Sequence, residues 1–218
     1  MHKVFISLEG IEGVGKSTQI SILSEKVKLL DYSVLVTREP GGTHSAELIR
    51  QLLTSPDENH LSPTAEALLS YAARDDHLRK VIIPALNEGN IVLTDRYVDS
   101  TRAYQGYVGG ASIEIIEFLE MKIVGKYIPS KTIIFDISVE ESMRRIVERS
   151  DRENLELHKF EILDIEYHQR LRQAFLRIAR ENPQRCVVID ASRPVEEVAE
   201  DVWAVVRPLL MQNDGAAT

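Results

Sequence analysis

Short runs of apolar, mostly β-branched residues recur along the chain, separated by longer stretches in which apolar and charged residues mix. The runs are Lys3 to Glu9, Ser33 to Thr37, Ile91 to Asp95, Thr132 to Ile137 and Cys186 to Asp190. In IVLTD, TIIFDI and CVVID the apolar residues are nearly continuous and do not alternate with polar ones. That is the pattern of strands covered on both faces, as in parallel sheets. The intervening stretches predict helices over Gly15 to Leu30, Ser45 to Leu53, Pro63 to Asn87, Ser112 to Gly125, Val139 to Arg149, Phe160 to Glu181 and Val195 to Met211. Ser62-Pro63 followed by Glu66 is a start signal for the third of these. Strand and helix alternate over the whole length, which predicts an α/β fold: three layers, with helices on both faces of a five-stranded parallel sheet and right-handed crossovers. One domain over residues 1–212 is expected, with the charged stretch Ser150 to Lys159 as a mobile segment and 213–218 as a frayed tail. In such sheets ligands sit at the carboxyl ends of the strands.

Composition narrows the function. The chain of 218 residues is 44% hydrophobic and carries 26 Lys+Arg against 34 Asp+Glu, a net charge of −8. That acidity argues against duplex nucleic acid as a partner, because neutralising phosphates along a duplex wants a basic face. No run approaches the roughly 20 apolar residues of a membrane span. Cys186 is the one cysteine, so no intrachain disulfide and no cysteine zinc cluster can form. Val4-Phe5-Ile6 gives way at once to Glu9, unlike a secretory leader, and a cytoplasmic protein is expected.

The clearest chemistry lies at the end of the first strand. Gly10-Ile11-Glu12-Gly13-Val14-Gly15-Lys16-Ser17 matches G-x-x-x-x-G-K-[ST], and with Thr18 it opens the first helix. Glycines permit left-handed backbone and close approach, successive amides form an anion nest, and the helix N-terminus adds partial positive charge. A nucleoside triphosphate is the natural guest, with Lys16 on its terminal phosphates and Ser17 on a Mg²⁺ ion. The loop alone does not choose a reaction, since kinases, GTPases, partition ATPases and ligases share it. No N-K-x-D base-reading motif is present. Arg38, Arg74 and Arg96 fall near strand ends or on a helix able to face them. Planar guanidinium forks match phosphate oxygens, so they suggest a second phosphate, on an acceptor. Ordinary ion pairs with Asp75, Asp76 or Asp99 are the alternative. The residues by themselves thus support a P-loop kinase of a small phosphorylated acceptor.

Further motifs give a specific resemblance. Thr37-Arg38-Glu39-Pro40-Gly41-Gly42-Thr43, Tyr71-Ala72-Ala73-Arg74, Asp95-Arg96-Tyr97 with Ser100-Thr101, and Ala103-Tyr104-Gln105-Gly106 come after the phosphate loop in order. In that order and spacing the chain resembles the bacterial thymidylate kinase family over essentially its whole length. The resemblance implies ATP + dTMP → ADP + dTDP with Mg²⁺, in a cytoplasmic homodimer. It implies that Arg96 holds the acceptor phosphate, Arg74 approaches the pyrimidine, and Ser100 and Thr101 meet its polar edge. Glu12 and Glu39 would lie near the deoxyribose, Pro40 would pack on the nucleotide, Tyr104 would crowd the 2′ position, and Gln105 would line the same pocket. Asp95 would join Ser17 in steering Mg²⁺. Gly13 stands where some relatives carry arginine, and Arg149 and Arg152 fall in the segment that would form a lid, supplying that charge from there. Catalysis would then rest on Lys16, Arg96, Arg149 and Arg152, and Asp164, Glu166 and Tyr167 could touch the sugar or the metal. One position departs from the family: Ser70 stands where relatives commonly place a phenylalanine that stacks on thymine, which predicts weaker or less selective base binding. A deoxynucleoside kinase, which would need a carboxylate base such as Glu39, and an ATP-holding regulatory module are the competing readings.

Overall fold

In the computed structural model, residues 3–55, 61–153 and 164–214 are described, with the side chains of 151–153 and 212–214 left aside. Among them five strands form one parallel sheet: β1 (Phe5–Glu9), β2 (Val34–Arg38), β3 (Ile91–Asp95), β4 (Lys131–Asp136) and β5 (Cys186–Asp190), in the order β2-β3-β1-β4-β5. The helices are α1 (Lys16–Lys28), α2 (His44–Thr54), α3 (Pro63–His77), α4 (Ile83–Asn87), α5 (Val98–Thr101), α6 (Ile113–Leu119), α7 (Val139–Glu153), α8 (Ile165–Glu181) and α9 (Val195–Asp214). They cover both faces, with one core built around Ile6, Leu8, Ile133 and Phe175 and another around Phe5, Val92, Tyr71 and Ile82. Alternation along β1 sends neighbouring side chains into opposite cores, as strand geometry requires.

The expected α/β architecture holds, and its differences from the sequence reading have physical causes. CVVID is not covered on both faces: β5 is an edge strand and Val188 is 44% exposed. The stretch 63–87 is helical throughout, but Leu78–Ile82 is a π-helical turn between α3 and α4. Pro84 has no N–H to give, and the turn before it widens, Ile83 N–H bonding to Leu78 O. Residues 98–108 were not expected to be helical, yet α5 runs into a π-helical turn over Arg102–Val108. The chain crowds there against α6: a Cβ on Gly106 would come within 2.7 Å of Ile113 Cδ1. A further π-helical turn, Glu120–Val124, ends α6. α8 begins at Ile165, capped by the carboxylate of Asp164, which accepts the Tyr167 N–H at 2.7 Å; the expected start at Phe160 lies outside the described residues. α9 continues to Asp214, past the expected end at Met211.

Strand register decides which residues share the edge of the sheet. Leu8 lies beside Asp95 and Arg38 beside Asp95 across the central strands. Pairing runs one residue beyond the strands, Arg96 N–H bonding to Leu8 O at 3.0 Å and Glu39 N–H to Asp95 O at 2.9 Å. The carboxyl ends of β1, β2 and β3 therefore deliver Glu9, Glu39 and Arg96 to one edge of the sheet, next to the turn that enters α1.

Candidate active site

Two groups of residues meet at this edge. The first is the loop from Gly10 to Gly15. Gly10, Gly13 and Gly15 have φ of 132°, 70° and 91°, and a Cβ on Gly10 or Gly13 would stand 2.6 Å from the carbonyl oxygen of Phe135 or Ser142. Glycine is therefore demanded by both backbone conformation and space. Lys16 is buried and folded back, donating to Ile11 O at 2.8 Å and Gly10 O at 3.3 Å. Burial, and then the charge of Arg96, push its ammonium down to about 8. Ser17 and Thr18 are exposed, and Ser17 Oγ donates to Asp95 Oδ2 at 3.1 Å.

The second group is a buried ion network. Arg74 Nε donates to Glu39 Oε2 at 2.6 Å, and its Nη2 reaches Tyr97 O at 3.0 Å and Thr101 Oγ1 at 3.1 Å. Its guanidinium lies 4.6 Å from the Tyr71 ring centre and 5.1 Å from that of Tyr97. His77 Nδ1 is 3.0 Å from Glu39 Oε1 and its Nε2 is 2.7 Å from Thr37 Oγ1. Both oxygens of Glu39 are thus engaged, which leaves it poorly placed as a free proton acceptor.

Arg96 joins the two groups. Its backbone is left-handed, φ 68°. Nη1 donates to Gly10 O at 2.9 Å and Ser100 Oγ at 3.2 Å, and Nη2 to Glu12 Oε1 at 2.9 Å. The Tyr104 hydroxyl donates to the same Glu12 oxygen, and the Arg96 guanidinium lies 5.1 Å from the Tyr104 ring centre. Burial opposes its charge, but Tyr104, Glu12, Asp95 and Glu9 outweigh burial and hold its pKa above the ordinary arginine value.

Of the residues expected from sequence, Gly10 to Ser17, Glu39, Arg74, Asp95, Arg96, Ser100, Thr101 and Tyr104 converge here. Pro40 follows Glu39, with Arg50 Nη1 donating to its carbonyl at 3.1 Å. Gln105 lies beneath the network, donating to Glu66 Oε2 at 3.1 Å. Ser70 is buried and gives its hydroxyl to Glu66 O at 2.8 Å, while Tyr71 next to it is buried beneath Arg74. Tyr71 is committed to Arg74 and does not replace the missing aromatic. Arg38 points outward to Glu47 at 3.1 Å. Asp164 is spent on its cap and Glu166 is exposed. Arg149 is half-buried on α7, whereas the Arg152 side chain and the expected lid from 154 to 160 lie outside the described residues.

Sequence reasoning missed four participants. Glu9 is fully buried at the end of β1. Arg50 approaches Arg38 and Arg96 closely enough that, after burial, their charges depress its pKa. His77 secures Glu39. His168 is fully buried with Nδ1 4.0 Å from Glu12 Oε2, and neither that oxygen nor either ring nitrogen has a hydrogen-bond partner among the described residues. Only Glu9 left a local trace, an acid closing an apolar strand.

A phosphate loop after the first strand, facing the buried Arg74 and the half-buried Arg96 and Arg50 at the same sheet edge, defines the class as a P-loop phosphotransferase. Comparison with known proteins gives the particular kind. The profile of the thymidylate kinase family matches residues 8–202. A thymidylate kinase from Nitrobacter hamburgensis is 46% identical over 212 residues, covering 97% of this chain and 91% of that one. One from Caulobacter vibrioides is 45% identical over 202 residues, 93% and 95% of the two chains. A crystal structure of thymidylate kinase from Ehrlichia chaffeensis superposes with a TM-score of 0.73 at 32% identity, covering 93% of this chain and 98% of that one. The chain belongs to the thymidylate kinase family, a family of nucleoside monophosphate phosphotransferases.

Proposed function

We propose that the chain transfers the γ-phosphoryl group of ATP to dTMP, giving dTDP and ADP, with the loop at Gly10 to Thr18 holding the donor and the Arg96 cluster holding the acceptor. The observation that carries this reading is the bridge between the two: Arg96 is tied at once to Gly10 O and Glu12 of the loop and to Ser100 of the acceptor side. A phosphate bound by Arg96 therefore sits next to the triphosphate loop.

The acceptor phosphate is already an oxyanion near neutral pH, so the reaction needs positioning and charge neutralisation more than a base. One of its oxygens attacks the γ-phosphorus while the bond to the bridging oxygen of ADP breaks. Lys16 leaves its loop carbonyls to meet the donor phosphates, and Arg96, with Arg50 nearby, neutralises the incoming phosphate. Arg149 and Arg152, at the end of α7, would screen the transferring group as the segment after them closes and excludes water. Glu39 and Arg74, fixed on each other, face the sugar and base. Pro40, Thr101 and Gln105 complete that wall, and Tyr104 excludes a ribose 2′-hydroxyl.

Ser17 Oγ and Asp95 Oδ2, 3.1 Å apart, are hard oxygen donors and fit Mg²⁺, which takes few protein ligands and keeps water and phosphate as the rest. Bound there, Mg²⁺ would neutralise charge on the donor phosphates. For assembly, Leu48 and Leu52 on α2, Leu68 on α3, and Ile115 and Phe118 on α6 are exposed on elements packed side by side. An apolar face of that kind suits a second copy of the chain, and sedimentation should find a dimer. No helix among the described residues is long and apolar enough to cross a membrane, in keeping with a cytoplasmic enzyme.

The deciding experiment measures ADP release with Mg·ATP and, in turn, dTMP, thymidine, dUMP, dGMP and AMP. Strong stimulation by dTMP alone is expected. A comparable response to thymidine would favour a deoxynucleoside kinase, and no response to any of them an ATP-holding module.

A further inference from the structure

Glu9 is fully buried, yet it is acidic and ends the strand that feeds the phosphate loop. Its two oxygens accept two hydrogen bonds, the Tyr97 N–H at 2.7 Å and the Ser100 hydroxyl at 2.6 Å. Each bond acts on Arg96. The Tyr97 N–H belongs to the peptide just after Arg96, whose backbone is held in the left-handed region at φ 68°, where a residue with a side chain rests only under outside constraint. The Ser100 hydroxyl has one proton. By giving it to Glu9 it keeps its lone pairs for Arg96 Nη1, which donates to it at 3.2 Å.

We propose that Glu9 is the positioning residue for acceptor binding, fixing the backbone of Arg96 from one oxygen and the tip of its guanidinium, through Ser100, from the other. A glutamine in its place can accept from only one of these donors. If its oxygen keeps the Tyr97 N–H, its amide donates to Ser100, and the serine proton, displaced from Glu9, turns to one of the two directions left on the oxygen, competing there with the Arg96 donor. A hydrophobic residue would lose both bonds. An ionisable group is costly in this position, and its surroundings show the cost. Burial, and then Asp99 on α5, push Glu9 up to about 7, against the pull of Arg96, Ser100 and Tyr97. Lys16 from α1 and Cys186 from β5 also feel its charge. Asp99 gives no relief, being bound by Arg185 and Thr132.

The proposal rests on Arg96 holding the acceptor phosphate, so the test separates the two. Steady-state constants for dTMP and for ATP are measured at pH 8 for the wild type, Glu9→Gln, Glu9→Asp, Ser100→Ala, the Glu9→Gln/Ser100→Ala double variant and Arg96→Lys. For Glu9→Gln the KM for dTMP should rise on the order of tenfold, about the effect of misaligning one charge-assisted hydrogen bond, with the KM for ATP nearly unchanged. The double variant should be little worse than the poorer single variant, because both act through the same hydroxyl. Glu9→Asp keeps the charge but shortens its reach, and should move the dTMP constant in the same direction even if the glutamine variant fails to fold. If Arg96→Lys raises the KM for dTMP while neither Glu9 variant does, the role assigned to Glu9 is wrong and that of Arg96 stands. If Arg96→Lys leaves it unchanged, the acceptor-site reading fails and the role of Glu9 with it. Equal rises in both KM values for the Glu9 variants would also overturn the proposal, since they would report general damage to the site.

Discussion

The two halves of the site, the phosphate loop and the ion network proposed to hold the acceptor, are built by opposite means. The donor loop is backbone held by glycine geometry, contiguous in sequence, and its Ser17 and Thr18 are exposed. The acceptor half is side chain, gathered from β2, α3 and the segment after β3, and its central pair, Glu39 and Arg74, is 3% exposed on each side. The difference teaches where each kind of change should tell. A loop made of main chain can lose a side chain and keep its shape, so changes there should strike turnover and spare stability. A buried ion network is part of the core, so changes there should strike both.

The largest expected effect sharpens that contrast. Lys16→Ala should lower turnover by about 10²- to 10³-fold, as losing a preorganised charge does, while thermal unfolding shows a Tm close to that of the wild type. A large fall in Tm would break the comparison, making the lysine a structural part of the loop. Glu39→Gln comes next. It leaves Arg74 as an uncompensated buried cation, a loss of about 3 kcal/mol or more, so Tm should fall clearly and the KM for dTMP should rise with it.

Smaller in size, the Tm difference between Glu9→Gln and the wild type should depend on pH. Burial raises the pKa of Glu9, so the folded state holds its proton more tightly than the unfolded chain, and stability from this group is present at low pH and lost as pH rises toward about 7. The glutamine variant has no such loss. Its Tm relative to the wild type should climb between pH 5 and pH 8 and then level off, and a difference that does not vary with pH would show that Glu9 is not strained by its site. The smallest effect concerns the base. Ser70→Phe should lower the KM for dTMP a few-fold, in line with about 1 kcal/mol for an aromatic contact, and no gain would mean that the base is held without a stacking partner.

Legibility followed the same division. The phosphate loop could be read because its chemistry lies in consecutive residues between a strand and a helix. Ile91–Asp95 and Cys186–Asp190 fall where the apolar runs place them, since strand continuity is also local. The acceptor half yielded its residues through a family resemblance but not its pairings. Nothing at Glu39 announces Arg74 35 positions later, and nothing at His77 or His168 distinguishes a site histidine from a core one. The segment 98–108 does not read as a helix from local pattern; its π-helical turn packs against α8, α3 and α6, contacts that only the assembled fold supplies. β5 was misjudged because an apolar run reveals burial only on average, and position at the sheet edge is a property of the whole topology.

Glu12 sits in the donor loop, yet its carboxylate holds Arg96 and Tyr104 of the acceptor side, and its carbonyl accepts the Ser142 hydroxyl of α7 at 2.6 Å. One residue therefore touches both parts of the site that the proposed function assigns to the two substrates. Whatever free energy dTMP contributes to ATP binding by drawing on Glu12, ATP must return in equal measure to dTMP, because equilibrium coupling between two ligands is reciprocal. If both draw on Glu12 as proposed, they are linked ligands, and the affinity of either has a definite value only once the occupancy of the other is stated.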